Sequence, residues 1–217
     1  DTRDRLARLY KSTRSGPGKI WGGSSNRKAI SLTFDDGPKE ETAEILDLLK
    51  SKGVKATFFV VGRQMHMYPD IVQRMLDEGH ELQNHTYRHR ALDAVDKTEI
   101  EREIFGGAAA IRSATGKRSV YLRPPNARAD KGLTDVTTQF GISIVYWTVT
   151  CSHLEGTNAK RIEDYIVSSV QPGGIVHLHN LERVTLSALP GAIDKLRADG
   201  YTFSTLSEIL SEDSDKK

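Results

Sequence analysis

An α/β fold built from parallel β-α-β units is predicted by three features of this sequence. From Ala29 onward, short apolar runs alternate with longer amphipathic ones. Several amphipathic runs end at a glycine, and polar residues with catalytic chemistry recur just after the apolar runs. The chain of 217 residues suits one domain with a large core, and 37% hydrophobic with 28% charged residues is the balance of an ordinary globular protein.

Strands are predicted over residues 30–34, 56–61, 80–84, 120–123, 142–149, 174–179 and 201–203. Helices are predicted between them, over 40–52, 69–78, 96–114, 129–140, 158–170 and 186–199. In the first helix Ile45, Leu48 and Leu49 fall on one face, and in the second Ile71, Val72, Met75 and Leu76 do. The steps Lys52-Gly53, Glu78-Gly79, Phe140-Gly141 and Asp199-Gly200 predict left-handed C-caps. About seven strands in this alternation leave either a barrel or an open doubly wound sheet. Two observations favour the barrel. No Gly-rich phosphate loop follows the first strand. Asp35 and Asp36 follow the first strand, His85 the third, Arg123 ends the fourth and His179 the sixth. A closed or nearly closed ring brings that many strand ends to one rim, where barrel active sites lie. The domain is expected over 24–211, between a basic arm at 1–23 and a tail at 212–217.

A net charge of +2 argues against a nucleic-acid partner. The arm carries Arg3, Arg5, Arg8, Lys11, Arg14 and Lys19 against Asp1 and Asp4, which reads as a solvated helix face or a contact for an anionic surface. Cys151 is the one cysteine, so no intrachain disulfide forms. No apolar run approaches the ~18 residues of a membrane span. The chain begins at Asp1 with neither an initiator Met nor a signal peptide, as a processed start does.

The chemistry concentrates in four segments. Thr33-Phe34-Asp35-Asp36-Gly37-Pro38 sets two carboxylates side by side after a buried strand. Like charges in a semi-apolar place need a cation or donors, and a metal divides the labour: one carboxylate ligates and the other stays as general base. The same residues also fit a plain turn that caps the next helix. His85-Thr86-Tyr87-Arg88-His89 offers imidazoles at i and i+4, which a helical turn would bring to one side. Two histidines and a carboxylate leave room for water and substrate, as catalytic zinc needs; cobalt, nickel or iron would also fit. Arg123-Pro124-Pro125-Asn126 ends a strand with a guanidinium able to orient a carboxylate, and its stiff loop can present a backbone N–H to an oxyanion. In His177-Leu178-His179 both imidazoles share one face of a strand, His179 placed to protonate a leaving group and His177 one layer deeper as a lining residue. His66, His80 and His153 read as structural or solvent-exposed.

Together these segments resemble the polysaccharide deacetylases of carbohydrate esterase family four, the nodulation-factor deacetylase homology domain. Thr33 to Pro38 matches the TFDDGP motif, His85 to His89 the H-[ST]-x-x-H motif, and Ala56-Thr57-Phe58-Phe59-Val60-Val61-Gly62 adds to the match. The resemblance covers about residues 29–210 and implies a distorted (β/α) barrel of about seven strands. It also implies that Asp35 is the general base, that Asp36, His85 and His89 hold the metal, that Arg123 holds Asp35, and that His179 is the general acid. The backbone N–H of Asn126 would stabilise the oxyanion, with Pro124, Trp147, His177 and Leu178 lining the groove.

Three departures from the family pattern stand out. Asn126 replaces the usual aromatic, His177 replaces a Leu, and Thr150-Cys151 follows the Trp147 strand where an Asp normally serves the acid histidine. The expected activity is N-deacetylation of an N-acetylglucosamine polymer, peptidoglycan or chitin-like, by a monomer outside the cell or in its envelope. O-deacetylation of xylan, and a catalytically weak metal-holding carbohydrate-binding domain, are the alternatives.

Overall fold

The computed structural model describes residues 18–154, 156–179 and 183–211, so most of the basic arm and the whole tail lie outside the described residues. Nine described strands form one parallel sheet: β1 (Lys19–Ile20), β2 (Ala29–Gly37), β3 (Thr57–Val60), β4 (Glu81–Asn84), β5 (Tyr121–Leu122), β6 (Ser143–Val145), β7 (Val149–Thr150), β8 (Ile175–His179) and β9 (Thr202–Phe203). Hydrogen bonding runs in the order β1-β6-β5-β4-β3-β2-β8-β7, with β9 added beside β2. Only Tyr146, Trp147 and Thr148 separate β6, near one end of that order, from β7 at the other. Such a link reaches no more than about 14 Å, so the two ends must meet. The sheet therefore curls into the expected barrel. Its seam carries Tyr146 N–H to Ile20 O (2.8 Å), Thr148 N–H to Ile175 O (3.0 Å) and Gly23 N–H to Gly173 O (2.8 Å).

The strand expected over 142–149 is thus two strands, because the chain changes partners at Tyr146–Thr148, from β1 and β5 to β8. Lys19 and Ile20, expected in the arm, pair with Ile144 and Val145 and belong to the sheet. Helices α1 (Thr42–Ser51), α2 (Gly62–Met67), α3 (Pro69–Asp77), α4 (Lys97–Thr115), α5 (Lys131–Gln139), α6 (Ala159–Ser169), α7 (Arg183–Ala198) and α8 (Leu206–Ser211) fill the connections. Asp96, Asp130 and Asn158, inside the predicted helices, are their N-caps, each accepting a backbone N–H three residues on. Gly53, Gly79, Gly141 and Gly200 all have positive φ, as the predicted C-caps require. Helices α2 and α8 escape sequence reading, since six residues hold too little of a 3.6-residue period.

Strand alternation divides the side chains into two sets. Ile30, Leu32, Phe34, Phe58, Val60, Val176 and Leu178 point outward and pack with α1, α3, α6 and α7. Leu122 and Ile144 do the same with Ile100, Ile104, Leu133 and Val136 of α4 and α5. Each such buried side chain contributes about 1.5–3 kcal/mol. Inside the ring lie Phe59, Val145, Ile175 and, from α8, Leu206 and Ile209. Thr33, Asp35, Arg123 and His177 are also buried there, a polar layer near the strand carboxyl ends.

Helix α4 comes against the end of β4 at a glycine. A Cβ on Gly107 would stand 2.2 Å from Asn84 Oδ1, an atom that already accepts the Thr86 N–H. Gly107→Ala should therefore destabilise the fold by about 1–3 kcal/mol in urea denaturation. Gly132→Ala, where the nearest neighbours stand at 3.4 Å, should lie within about 1 kcal/mol of the parent or above it.

Candidate active site

Alternation places Thr33 and Asp35 of β2 inside the barrel and would turn Asp36 outward. A bulge prevents this. The register of β2 on β3 shifts between Asp35 and Gly37, and Asp36 takes a left-handed φ of 74°. Asp36 Oδ1 then lies 3.4 Å from His85 Nε2 and 2.9 Å from His89 Nε2, and the three donor atoms fall within 4.8 Å of one another. Bonds of about 2.0–2.1 Å around a tetrahedral ion put donors about 3.3 Å apart, so the spacing suits a zinc-sized cation.

The histidine pair does not ride on a helical turn. Residues 85–89 form a loop after β4, with Thr86 and His89 at positive φ, and it is this path that brings the imidazoles together, their centroids 4.9 Å apart. His85 Nδ1 lies 2.6 Å from the Arg123 carbonyl. A carbonyl only accepts, so Nδ1 carries the hydrogen, which leaves Nε2, on the Asp36 side, as the nitrogen that could ligate a cation.

Asp35 is 3% exposed, with Oδ1 2.8 Å from Arg123 Nη1 and Oδ2 3.1 Å from His177 Nε2. Burial pushes its pKa up, but the Arg123 charge, then His85 and His177, overcome this and hold it well below the usual carboxylate range. Burial likewise raises Asp36, and the His85 and His89 contacts more than reverse it. Arg123, expected at the rim, is fully enclosed. Its other donors reach Thr33 Oγ1 (2.8 Å), Tyr146 O (3.1 Å) and Val145 O (3.3 Å), and the guanidinium lies 4.0 Å over the Phe59 ring.

His177 and His179 share the inner face of β8 as expected, their centroids 4.5 Å apart, opposite Thr33 and Asp35 in register. Trp147 stacks on His177 at 3.9 Å, and burial pushes His177 down despite Asp35 beside it. The Thr150 hydroxyl, at the position where an acid-serving Asp was expected, faces His177 Nδ1 at 3.0 Å instead. Leu178, expected in the groove, is 1% exposed and points outward into the helix-packed core, because strand neighbours face opposite sides. Pro124 is buried, and Asn126 stands on the exposed turn after it with φ 59°. His80 is structural as read: Nδ1 accepts the Ala56 N–H, and burial lowers its pKa to about 4.

Sequence reading missed the supports of the ligand loop. Glu103, with no exposure, accepts Tyr87 N–H (3.1 Å), Arg88 N–H (2.8 Å) and Arg88 Nε (2.6 Å). Glu99 binds Arg88 and Arg90, and α2 donates Gly62 and Arg63 N–H to the carbonyls of Thr86 and Tyr87. The available signal was Glu99 and Glu103 at i and i+4 among Ile100, Ile104 and Phe105, acids on a helix with an apolar burden.

Comparison with known proteins places this geometry. A family profile described as polysaccharide deacetylase matches residues 22–145. The peptidoglycan-N-acetylmuramic acid deacetylase PdaA of Bacillus subtilis is 33% identical over 195 residues, which is 88% of this chain and 74% of that protein. The peptidoglycan-N-acetylglucosamine deacetylase PgdA of Listeria monocytogenes is 33% identical over 190 residues, 87% of this chain and 40% of that longer protein. The crystal structure of the Bc1960 peptidoglycan N-acetylglucosamine deacetylase superposes with a TM-score of 0.84 at 31% identity, covering 89% of this chain and 92% of the other. This chain belongs to the polysaccharide deacetylase family, carbohydrate esterase family four.

Proposed function

We propose that this chain removes N-acetyl groups from N-acetylglucosamine units of peptidoglycan, at the cell envelope and as a monomer, with a divalent cation held by Asp36, His85 and His89. The observation that carries the reading is the convergence of those three donors beside a second, separately held carboxylate, Asp35. The peptidoglycan deacetylases among the relatives support the substrate. Zinc suits the donor set, and cobalt or nickel would be accepted. When bound, such a cation polarises the acetamide carbonyl and acidifies water.

The chain's own groups supply the rest. Asp35, ionised at neutral pH and fixed by Arg123, takes the proton of the attacking water. His179, on the inner face of β8, gives a proton to the departing sugar amine. The backbone N–H of Asn126, on the turn after Pro125, donates to the developing oxyanion. Acetate and a free amine result.

Acetate release from peptidoglycan and N-acetylglucosamine oligomers should occur and should stop with a chelator. Release from acetylated xylan alone would replace this reading with O-deacetylation, and glycan binding without release would leave a binding domain. Asp36→Ala should abolish zinc uptake in calorimetry. Asp35→Ala should keep the zinc and lower kcat by about 10²–10⁴-fold; equal zinc loss in both would overturn the division of roles. Arg123→Met strands a buried carboxylate and should destabilise the fold by about 3–5 kcal/mol in chemical denaturation. Adding Asp35→Leu should recover most of that stability while activity stays lost.

A further inference from the structure

His177 sits in a clamp that dictates how its two nitrogens are used. One ring face lies on Trp147 at 3.9 Å with 8° between planes, and His179 abuts it edge-on at 4.5 Å. In that plane Nε2 meets Asp35 Oδ2 at 3.1 Å and Nδ1 meets Thr150 Oγ1 at 3.0 Å. An ionised carboxylate only accepts, so Nε2 carries the hydrogen. A neutral imidazole then presents a lone pair at Nδ1, and the Thr150 hydroxyl, which donates as well as accepts, supplies a proton to it. Thr150 Oγ1 in turn has the Ser152 N–H at 3.3 Å and Ser152 Oγ at 3.0 Å. An ionised Asp at position 150 has no hydrogen to give. It would draw one onto Nδ1 and demand an imidazolium between two anions. Thr150 and His177 are therefore chemically matched.

We infer that His177 is a positioning residue for Asp35, holding Oδ2 from β8 while Arg123, just past β5, holds Oδ1, and that the Thr150 hydroxyl accommodates the tautomer Asp35 imposes by donating to Nδ1. A donor on the second oxygen, reaching Asp35 from the neighbouring strand β8 while Arg123 reaches it from across the sheet, opposes rotation about its Cβ–Cγ bond. The oxygen His177 holds is the one 4.0 Å from His85 Nε2, on the flank of the ligand cluster. The role rests on Asp35 being the base.

Imidazole ¹⁵N spectra of the zinc-loaded chain, taken without substrate, should show His177 as the neutral Nε2–H form, and Thr150→Val should keep that tautomer while shifting the Nδ1 resonance that loses its donor. His177→Leu should lower kcat about 10–100-fold with KM within about twofold, since a misplaced base costs turnover and not binding. His177→Gln, whose amide N–H reaches the place of Nε2, should recover most of the loss. An Nδ1–H His177, a Leu variant with parental kcat, or a Gln variant no better than Leu would each overturn the inference. A parent chain that releases no acetate from any glycan would sink the proposed function instead, and the tautomer would still decide the hydrogen-bond assignment.

Discussion

Inside the barrel, Arg123 and Asp35 meet with almost no water around either, and the rest of the site is arranged about that pair. Taking both charges out of solvent is expensive, and their attraction repays it only where every remaining donor finds a partner. Here each of the three guanidinium nitrogens has one: beyond Asp35 the group binds Thr33 and the carbonyls of Val145 and Tyr146, while Phe59 covers its face. One side chain thereby ties β2 to the point where the chain leaves β6 and crosses the seam toward β7. The backbone of the same residue serves the ligands, because its carbonyl fixes the hydrogen of His85 and its N–H bonds the carbonyl of Asn84. Asp35 and the Asp36, His85 and His89 cluster are thus referenced to a single residue.

A second set of charges, its carboxylates buried and its arginine half exposed, lies behind the loop of residues 85–89. Between His85 and His89 the chain sends Arg88 the other way, onto Glu99 and Glu103 of α4. Glu103 also takes two backbone N–H groups, so that with Val60 O and Asn84 Oδ1 the amides of His85 to Arg88 are all paired. Close approach of α4 at Gly107 and the N-terminal amides of α2 complete the cradle. A loop held this firmly meets the precision of a metal site, which orienting contacts behind the ligands normally provide.

Much of this was readable without coordinates. Helices α1, α4 and α7 show a clear apolar stripe and stop at glycines with positive φ, whereas α6 ends at Val170 in extended conformation. Asp35, His85, Arg123, His177 and His179 follow or end apolar runs at odd positions, and strand alternation turns them all to the interior. What escaped was whatever depends on partners distant in sequence. His177 looked like a lining residue because Asp35 and Thr150, its two hydrogen-bond partners, are 142 and 27 positions away. Arg123 looked like a rim residue because its enclosure comes from three other segments, around Thr33, Phe59 and Val145. Leu178 was drawn into the groove by its neighbours, though alternation already pointed it outward.

The sequence by itself determined the β-α alternation, the identity of the donors and which face of each strand they occupy, since these follow from period, residue chemistry and chain order. Tertiary structure alone decided that β6 and β7 close the ring, that a bulge turns Asp36 to the same pocket as its neighbour, and that a loop and not a helix unites His85 with His89. Register shifts and left-handed residues are local departures from regular structure, stabilised by contacts with remote segments, and a one-dimensional pattern does not contain those contacts.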